Sequence, residues 1–298
     1  MPTDPAERPH PWAPPPLDGY EPMIINVALT GAVPTKADTP AVPLTPEEIA
    51  SDAIACAHAG ASIVHVHVRD EEGRPTHRRD LYERAIAPIR DAVPELIVCV
   101  TTSGRVDPDP DARAVGMTLD PPLRPDMASL TLGSFNFPQT VSFNPPQVIE
   151  RLLTIMWDLG IKPELEVFEL GMVNTAHALI DRGLIPARPW FNILLGSFGS
   201  APAFVADLAR FVERLPDGAE WAAAGIGVFQ RSMVMAATVM GGNVRTGLED
   251  APRGPDRVPG TNVGAVEFAV AAATLAGRTV ATPADARRRL GLAAAVRA

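Results

Sequence analysis

The feature that most restricts the fold of this chain is an alternation of strand-like and helix-like segments, repeated eight times. The strand-like segments are short, apolar and rich in β-branched residues. They span residues 23–29, 62–68, 95–101, 126–131, 163–168, 190–195, 220–224 and 243–248. Alternation of this kind, without a break in composition, predicts one parallel (β/α)₈ barrel, or TIM barrel.

Helical spacing and helix-starting signals separate most of these strands. The predicted helices span residues 45–59, 78–92, 145–159, 171–182, 201–215, 228–240 and 262–276, whereas 106–125 is interpreted as a loop rich in Asp and Pro. Thr45, Pro46 and Glu48 form the pattern of a capping box with proline at the first helical position. A short helix from Pro283 is expected to be peripheral. Residues 1–21 are predicted to be a proline-rich arm, leaving 22–298 as the barrel domain.

A doubly wound open sheet is the alternative fold. Such a fold normally carries a phosphate-binding glycine fingerprint after its first strand. Here that turn reads Thr-Gly-Ala-Val-Pro over residues 30–34, which lacks the fingerprint. The barrel is therefore the favoured prediction.

Composition excludes several classes of function. The net charge is −9 and there is no basic cluster, which argues against a nucleic-acid partner. No apolar run approaches the roughly 18 residues that span a membrane, and the N-terminus lacks a secretory signal. The two isolated cysteines, Cys56 and Cys99, are typical of a reducing compartment. We expect a cytoplasmic protein, and the proline-rich arm favours a homo-oligomer, with a tetramer preferred.

The second predicted strand carries two histidines on one face. Side chains alternate along a strand, so His65 and His67 point one way while Val64, Val66 and Val68 point the other. Two parallel imidazoles suit two ligands of one metal ion. The alternative is a pair of ordinary hydrogen-bonded histidines.

The eighth strand ends in a second polar group. Period two places Arg245 and Glu249 on one face, and Asp250 follows pointing away from Glu249. In a closed barrel the eighth strand pairs with the first, next to the second, so Glu249 is expected to face His65 and His67. A His₂Glu set with open positions is typical of catalytic zinc. The alternative is a Glu–Arg ion pair at the surface.

Other strand ends are polar too, and TIM barrels place their active sites there. Candidate residues from these ends are Thr101, Thr102, Ser103, Gly104, Ser129, Thr131, Glu164 and Glu166. The run Gly225-x-Gly227 before a helix is compatible with either a phosphate site or a plain turn.

These residues lie in motifs that resemble the β-keto acid cleavage enzymes, the family that includes 3-keto-5-aminohexanoate cleavage enzyme. The resemblance covers about residues 22–290. Its motifs are TGA (30–32), LTPEEIA (44–50), AGASIVHVHVRD (59–70), GRPT (73–76), TTSG (101–104), MASLTLGSFNF (127–137), PELEVFELGM (163–172), AGIG (224–227) and GGNVRTGLED (241–250).

The resemblance implies a zinc-dependent TIM barrel that condenses a β-keto acid with acetyl-CoA and releases acetoacetate and a new acyl-CoA. His65, His67 and Glu249 then correspond to the metal ligands. Asp250 corresponds to the general base, Arg245 to its partner, and Thr101 to a group near the reacting carboxylate. Substrate-binding positions implied in the same way are Val33, Thr102, Gly104, Ser129, Thr131 and Glu166.

Three residues depart from the family pattern. Val33 stands where the aminohexanoate-specific member has a glutamate for the substrate ammonium, which favours a neutral or apolar keto acid without an amino group. Asn243 replaces a histidine and Ala251 an asparagine, and both changes are expected to reshape the pocket.

Two other functions stay open at this point. One is a metal-dependent aldolase or hydrolase that uses the same ligands without coenzyme A. The other is a catalytically inactive barrel, which the joint presence of His65, His67, Arg245, Glu249 and Asp250 disfavours.

Overall fold

A closed barrel of eight parallel strands forms the centre of the molecule. The computed structural model describes residues 19–105, 107–186, 188–254 and 256–294. Residues 1–18 of the predicted arm lie outside the described residues. The barrel strands are β1 (Ile25–Ala28), β2 (Ile63–Val66), β3 (Ile97–Val100), β4 (Met127–Thr131), β5 (Lys162–Val167), β6 (Trp190–Leu195), β7 (Glu220–Gly225) and β8 (Asn243–Thr246). They are hydrogen-bonded in sequence order, and β1 pairs with β8 to close the ring.

Helices surround this ring. They are α1 (Pro46–Ala59), α2 (Arg79–Ala92), α3 (Pro110–Arg113), α4 (Pro146–Leu159), α5 (Leu170–Asp181), α6 (Val205–Arg214), α7 (Gln230–Val239), α8 (Asn262–Leu275) and α9 (Pro283–Leu290). The capping box predicted at Thr45 and Glu48 is present. The predicted TIM barrel is thus confirmed, with element bounds shifted by a few residues.

Residues 106–125 form more structure than the predicted loop. They contain α3 and a 3₁₀ turn, Val115–Met117. Asp109 caps α3 by accepting a hydrogen bond from the backbone N–H of Asp111, and Pro110 starts the helix. The Asp-Pro composition therefore marks a short capped helix here.

Each barrel strand has an outer and an inner face. Outward side chains such as Val64, Val66 and Leu165 pack against the helices in the main apolar core. Inward side chains at the N-terminal end of the barrel form a second apolar cluster, which we call the floor. The floor comprises Ile24, Ile63, Ile97, Cys99, Met127, Trp190, Ala222, Ala281, Ala286 and Leu290.

The prediction that the last helix is peripheral is wrong. Ala286 and Leu290 of α9 are buried in the floor, so this helix covers the N-terminal end of the barrel. Arg287 fixes it there through a 2.8 Å contact with Asp126 and a hydrogen bond to the Glu95 carbonyl. The polar composition of α9, with three consecutive arginines, conceals these apolar contacts.

The opposite end of the barrel, which we call the mouth, is bordered by the segments that follow the strands. Two short antiparallel strand pairs, Val68–Arg69 with Pro75–Thr76 and Phe135–Asn136 with Val141–Ser142, extend from β2 and β4. The described helices include none that is both long enough and apolar enough to span a bilayer.

Candidate active site

A cavity of about 520 Å³ opens at the mouth, above the C-terminal ends of the strands. One part of its wall is polar and holds most of the residues predicted from the sequence. Another part is apolar and aromatic. Ligand sites of TIM barrels lie at this end of the fold.

His65, His67 and Glu249 converge at the base of the cavity. Glu249 Oε1 lies 3.3 Å from His67 Nε2, and Glu249 Oε2 lies 3.8 Å from His65 Nε2. Glu249 Oε2 is buried and has no hydrogen-bond partner among the described residues. Two imidazole nitrogens, a carboxylate and an unsatisfied buried oxygen fit a divalent metal such as zinc.

The protonation states of His67 and Glu249 suit metal binding, whereas for His65 burial lowers the pKa but Glu249 and Glu164 outweigh it and raise the pKa above its ordinary value. Burial lowers the pKa of His67 to about 4, which leaves its imidazole neutral at pH 7. For Glu249, burial opposes ionisation, but His67 and Arg245 outweigh it and hold the pKa well below its ordinary value. A neutral imidazole and an ionised carboxylate are the forms that bind metal.

Glu164, one layer deeper in the barrel, faces the other side of His65. Its Oε2 atom lies 3.3 Å from His65 Nδ1. Its Oε1 atom accepts hydrogen bonds from Asn26 at 2.6 Å and from Trp190 at 3.3 Å. A carboxylate in this position orients a ligating histidine. Cys99 also approaches Glu164, at 3.6 Å, but burial raises the pKa of its thiol well above the ordinary value, which disfavours it as a metal ligand.

Arg245 joins three carboxylates in the cavity wall. It holds Asp250 through two contacts, Nε to Oδ2 at 2.8 Å and Nη2 to Oδ1 at 3.0 Å. It also contacts Glu249 at 3.0 Å and Glu166 at 3.3 Å. Burial raises the pKa of Asp250 above its ordinary value, and Arg245 opposes that rise. Asp250 is thus a fixed carboxylate with increased basicity, as a general base requires.

Glycines allow the backbone to position Glu249 and Asp250. Gly247 has φ +128, and a Cβ atom there would lie 2.3 Å from the Ala28 carbonyl oxygen. Gly31 has φ +63, and its Cβ would lie 2.5 Å from Glu249 Cγ. Gly227 donates its N–H to the Asp250 carbonyl at 2.7 Å, so this amide is used within the fold and Gly225-x-Gly227 acts as a turn.

The structure brings four of the predicted substrate-site residues to the cavity, namely Val33, Thr101, Thr131 and Glu166. Thr131 donates a 2.7 Å hydrogen bond to Glu166 and thereby orients it. Burial raises the pKa of Glu166 above its ordinary value.

Three other predicted residues lie outside the cavity lining. Thr102 and Ser129 bond to each other's backbone, with the Thr102 hydroxyl donating to the Ser129 carbonyl at 2.6 Å. Gly104 is packed against Arg113 and the Phe143 carbonyl, where a Cβ would clash. These residues hold neighbouring strand ends and loops together.

The two departures near β8 also lie outside this cavity. Asn243 sits at the floor end, where its Oδ1 accepts from the Ile24 N–H at 2.9 Å and its Nδ2 donates to the Trp221 carbonyl. Ala251 is buried behind Asp250 and is not part of the cavity lining. Neither residue contributes to the cavity lining, so the expectation that these changes reshape the pocket stays a prediction of an indirect effect.

Sequence reasoning missed the aromatic wall and one cation. Phe135 stacks on Phe168 with ring centroids 4.1 Å apart, and Phe137 packs beside them. Arg105, the residue directly after the TTSG motif, also lines the cavity. Its adjacency to that motif was the available signal, whereas the phenylalanines resemble ordinary core residues in the sequence.

Comparisons with known proteins agree with this geometry. The pattern of the beta-keto acid cleavage enzyme family matches residues 22–292. The chain is 39% identical to a 3-oxoadipate:acetyl-CoA acetyltransferase of Cupriavidus necator, covering 91% of this chain and 95% of that one. It is also 39% identical to a 3-keto-5-aminohexanoate cleavage enzyme of Fusobacterium nucleatum, covering 91% and 98%.

Solved structures agree on the fold. A complex of ObcA with a C4-CoA adduct and oxalate superimposes with a TM-score of 0.74 at 22% identity, covering 85% of this chain and 68% of that one. The apo structure of ObcA gives a TM-score of 0.72 and is covered to 66%. The chain thus spans about two thirds of ObcA. Given the family match and the curated relatives, this chain belongs to the β-keto acid cleavage enzyme family and is an enzyme of that type.

Proposed function

We propose that this enzyme condenses a β-keto acid with acetyl-CoA and releases acetoacetate together with the CoA ester of the shortened acid. The observation that carries the proposal is the joint geometry of the mouth. A His₂Glu group lies beside a buried aspartate that an arginine holds at two points. The names of several relatives include acetyl-CoA, among them the acetyltransferase at 39% identity.

His65, His67 and Glu249 are proposed to hold the metal, with zinc as the expected ion. When bound, this ion supplies Lewis acidity that stabilises negative charge on the keto oxygen of the substrate. The deep carboxylate of Glu164 keeps the His65 ring in position.

The proposed reaction begins at Asp250. Its carboxylate takes a proton from the carbon between the substrate's ketone and carboxylate, and that carbon then attacks the thioester carbonyl of acetyl-CoA. A carbon–carbon bond forms and the CoA thiolate leaves. The thiolate attacks the original ketone carbon, the bond from that carbon to the former α-carbon breaks, and Asp250 returns its proton to the departing carbon. Arg245 keeps Asp250 aligned throughout, and Thr101 lies in the wall near the reacting carboxylate.

The apolar wall supports a keto acid with a neutral or apolar chain that lacks an amino group. The wall residues are Phe135, Phe168, Leu194, Ile226 and Phe229. Val33 adds an apolar side chain at the rim, 67% exposed, where the aminohexanoate-specific relative is expected to have a glutamate. Burial of apolar substrate atoms against this wall favours binding.

The test is acetoacetate release by purified, zinc-loaded protein. The assay supplies acetyl-CoA and a panel of β-keto acids with apolar, anionic and amino-substituted chains. The Asp250→Asn variant is expected to lose about 10²- to 10⁴-fold in turnover because it lacks the general base.

Asp70→Asn is the matched control. Asp70 follows β2 as Asp250 follows β8, but the Asp70 carboxylate binds Arg74 outside the cavity. This variant should therefore keep wild-type turnover. Keto acid cleavage that proceeds without acetyl-CoA would contradict the proposal and favour a coenzyme-independent lyase. The cytoplasmic location and the homotetramer stay predictions, the latter to be measured by light scattering.

A further inference from the structure

Arg105 lies in the cavity wall where the polar and aromatic parts meet. Its guanidinium stacks over the Phe137 ring, 4.1 Å from the ring centroid. Its Nε donates a long, 3.4 Å hydrogen bond to the Ser103 hydroxyl. Among the residues that the structure describes, no carboxylate lies within 4.0 Å of it.

Two buried arginines near the mouth, one in the Val68–Arg69 strand and one at the end of α3, are satisfied by the protein itself. Arg69 donates to the carbonyls of Gly31, Gly73 and Pro34. Arg113 donates to two carbonyls and to the Asn144 side chain. Arg105, in contrast, lines the cavity and does not hold backbone carbonyls of the described residues in place as Arg69 and Arg113 do.

The charges around the cavity indicate what Arg105 can bind. Among the described lining residues, four are carboxylates (Asp38, Glu166, Glu249 and Asp250) and two are arginines. Arg245 is fully engaged with Asp250, Glu249 and Glu166. A keto acid entering this cavity brings a further negative charge, which is costly to desolvate unless a cation meets it. Besides the metal proposed at His65, His67 and Glu249, Arg105 is the described cation of the lining that has no carboxylate within 4.0 Å.

We propose that Arg105 binds a carboxylate of the keto acid substrate and selects for that charge. This inference rests on the proposed function. A guanidinium presents two parallel N–H groups to a carboxylate, and such charge-assisted pairs are strong and directional. With the neutral or apolar chain proposed above this is the reacting carboxylate, and a distal carboxylate of a dicarboxylic keto acid is the alternative outcome of the experiment. Both have the same chemistry, and the experiment separates them.

The experiment measures binding without turnover, by calorimetry of zinc-loaded protein in the absence of acetyl-CoA. The probes are a β-keto monoacid, a β-keto dicarboxylic acid, and the methyl ester of each carboxylate. The proteins are wild type, Arg105→Gln and Arg105→Lys. We expect Arg105→Gln to weaken binding of the recognised acid about 10- to 100-fold, and Arg105→Lys to retain part of the affinity.

The esters give the decisive comparison. Esterifying the recognised carboxylate should weaken binding to the wild type but have little further effect on Arg105→Gln, because the two changes remove one interaction. If this non-additivity involves the reacting carboxylate, both acids lose affinity in the variant. If it involves the distal carboxylate, only the dicarboxylic acid does.

Two controls separate this role from a general loss of structure or charge. Arg74→Gln removes an equal charge at an exposed position next to Asp70 and should bind all probes like the wild type. The KM for acetyl-CoA should be unchanged in Arg105→Gln, and its thermal unfolding should match that of the wild type.

Several results would overturn the inference. These are equal affinity of Arg105→Gln and wild type for every acid, an equal loss for acids and esters, or a raised KM confined to acetyl-CoA. A wild-type protein that binds the acids but never forms acetoacetate would instead contradict the proposed function and leave the Arg105 comparison intact. A wild type that binds none of the acids contradicts both.

Discussion

The mouth and the floor of this barrel are built from the same strands but have opposite chemistry. On β2 the floor residue Ile63 and the proposed metal ligand His65 are only two positions apart on the inner face. The inner side chains of the barrel therefore change from apolar packing residues to polar residues of the proposed site within two positions along a strand.

The two ends differ in chemistry because α9 covers the floor, whereas the mouth is open. The floor is covered by α9, so its inner side chains are apolar and gain free energy from burial. The mouth must admit a ligand, and its buried charges are stabilised by one another around Arg245. Stability at the floor thus comes mainly from packing, whereas stability at the mouth depends on charge pairing. The following changes test that division.

Arg245→Gln should have the largest effect, because it leaves three buried carboxylates without their shared cation. Breaking a buried ion pair on one side costs about 3–5 kcal/mol of unfolding free energy, and Asp250 also loses its alignment. Urea unfolding and acetoacetate release measure the two losses. The floor counterpart, Arg287→Gln, should lower stability but leave turnover per folded molecule at the wild-type level. Equal turnover in both variants would contradict the division.

Leu290→Ala removes apolar volume from the floor and should cost about 2–4 kcal/mol. The KM values for both substrates should remain at the wild-type level, because the change lies at the far end of the barrel. Leu275→Ala is the matched control, since Leu275 is 84% exposed and its truncation should shift stability by less than about 0.5 kcal/mol. A loss of turnover per folded Leu290→Ala molecule would show that the floor influences the mouth.

Glu164→Gln acts in the layer between the two ends. Replacing the carboxylate that faces His65 Nδ1 should weaken zinc affinity about 10- to 100-fold, because the imidazole ligand loses its orienting partner. Competition with a chelator, followed by measurement of bound zinc, determines this affinity without reference to activity. Glu220→Gln, at the floor end and paired with Arg289, should leave zinc affinity unchanged.

Asp285→Asn should have the smallest effect, about 1 kcal/mol at neutral pH, through the capping box of α9. Hydrogen bonds from Thr282 and the contact with Arg288 lower the pKa of Asp285 to about 2. A lowered pKa stabilises the fold above the ordinary pKa, and that contribution disappears as the pH falls towards 2. The stability difference between wild type and Asp285→Asn should therefore shrink between about pH 4 and pH 2, as thermal unfolding across that range would reveal.

The sequence was sufficient to predict the barrel and to predict which central side chains meet at its mouth. Strict alternation located His65 and His67, and barrel closure placed Glu249 opposite them, because both depend on periodicity and strand order. The family resemblance supplied Asp250 and Arg245 as a pair, and their geometry agrees with it.

Other features depended on information that no local pattern contains. Thr102 and Ser129 lie at strand ends, as the residues of the proposed site do. They nevertheless bond to each other because of the register between β3 and β4. The aromatic wall brings together Phe135, Phe168 and Phe229 from the three segments that follow β4, β5 and β7. The role of α9 depends on two apolar residues, Ala286 and Leu290, within a charged segment. Two residues are too few for hydrophobic periodicity to indicate a buried helix face.

The position of α9 has a consequence for the order in which this protein assembles. The Ser62 hydroxyl donates to the carbonyl of Ala281, a partner 219 residues further along the chain. During synthesis, the inner apolar side chains of β2 and β3 are therefore covered only after the last helix, α9, has been made. Contacts of such large sequence separation close slowly. Closure of the floor by α9 is therefore expected to be a late step in folding.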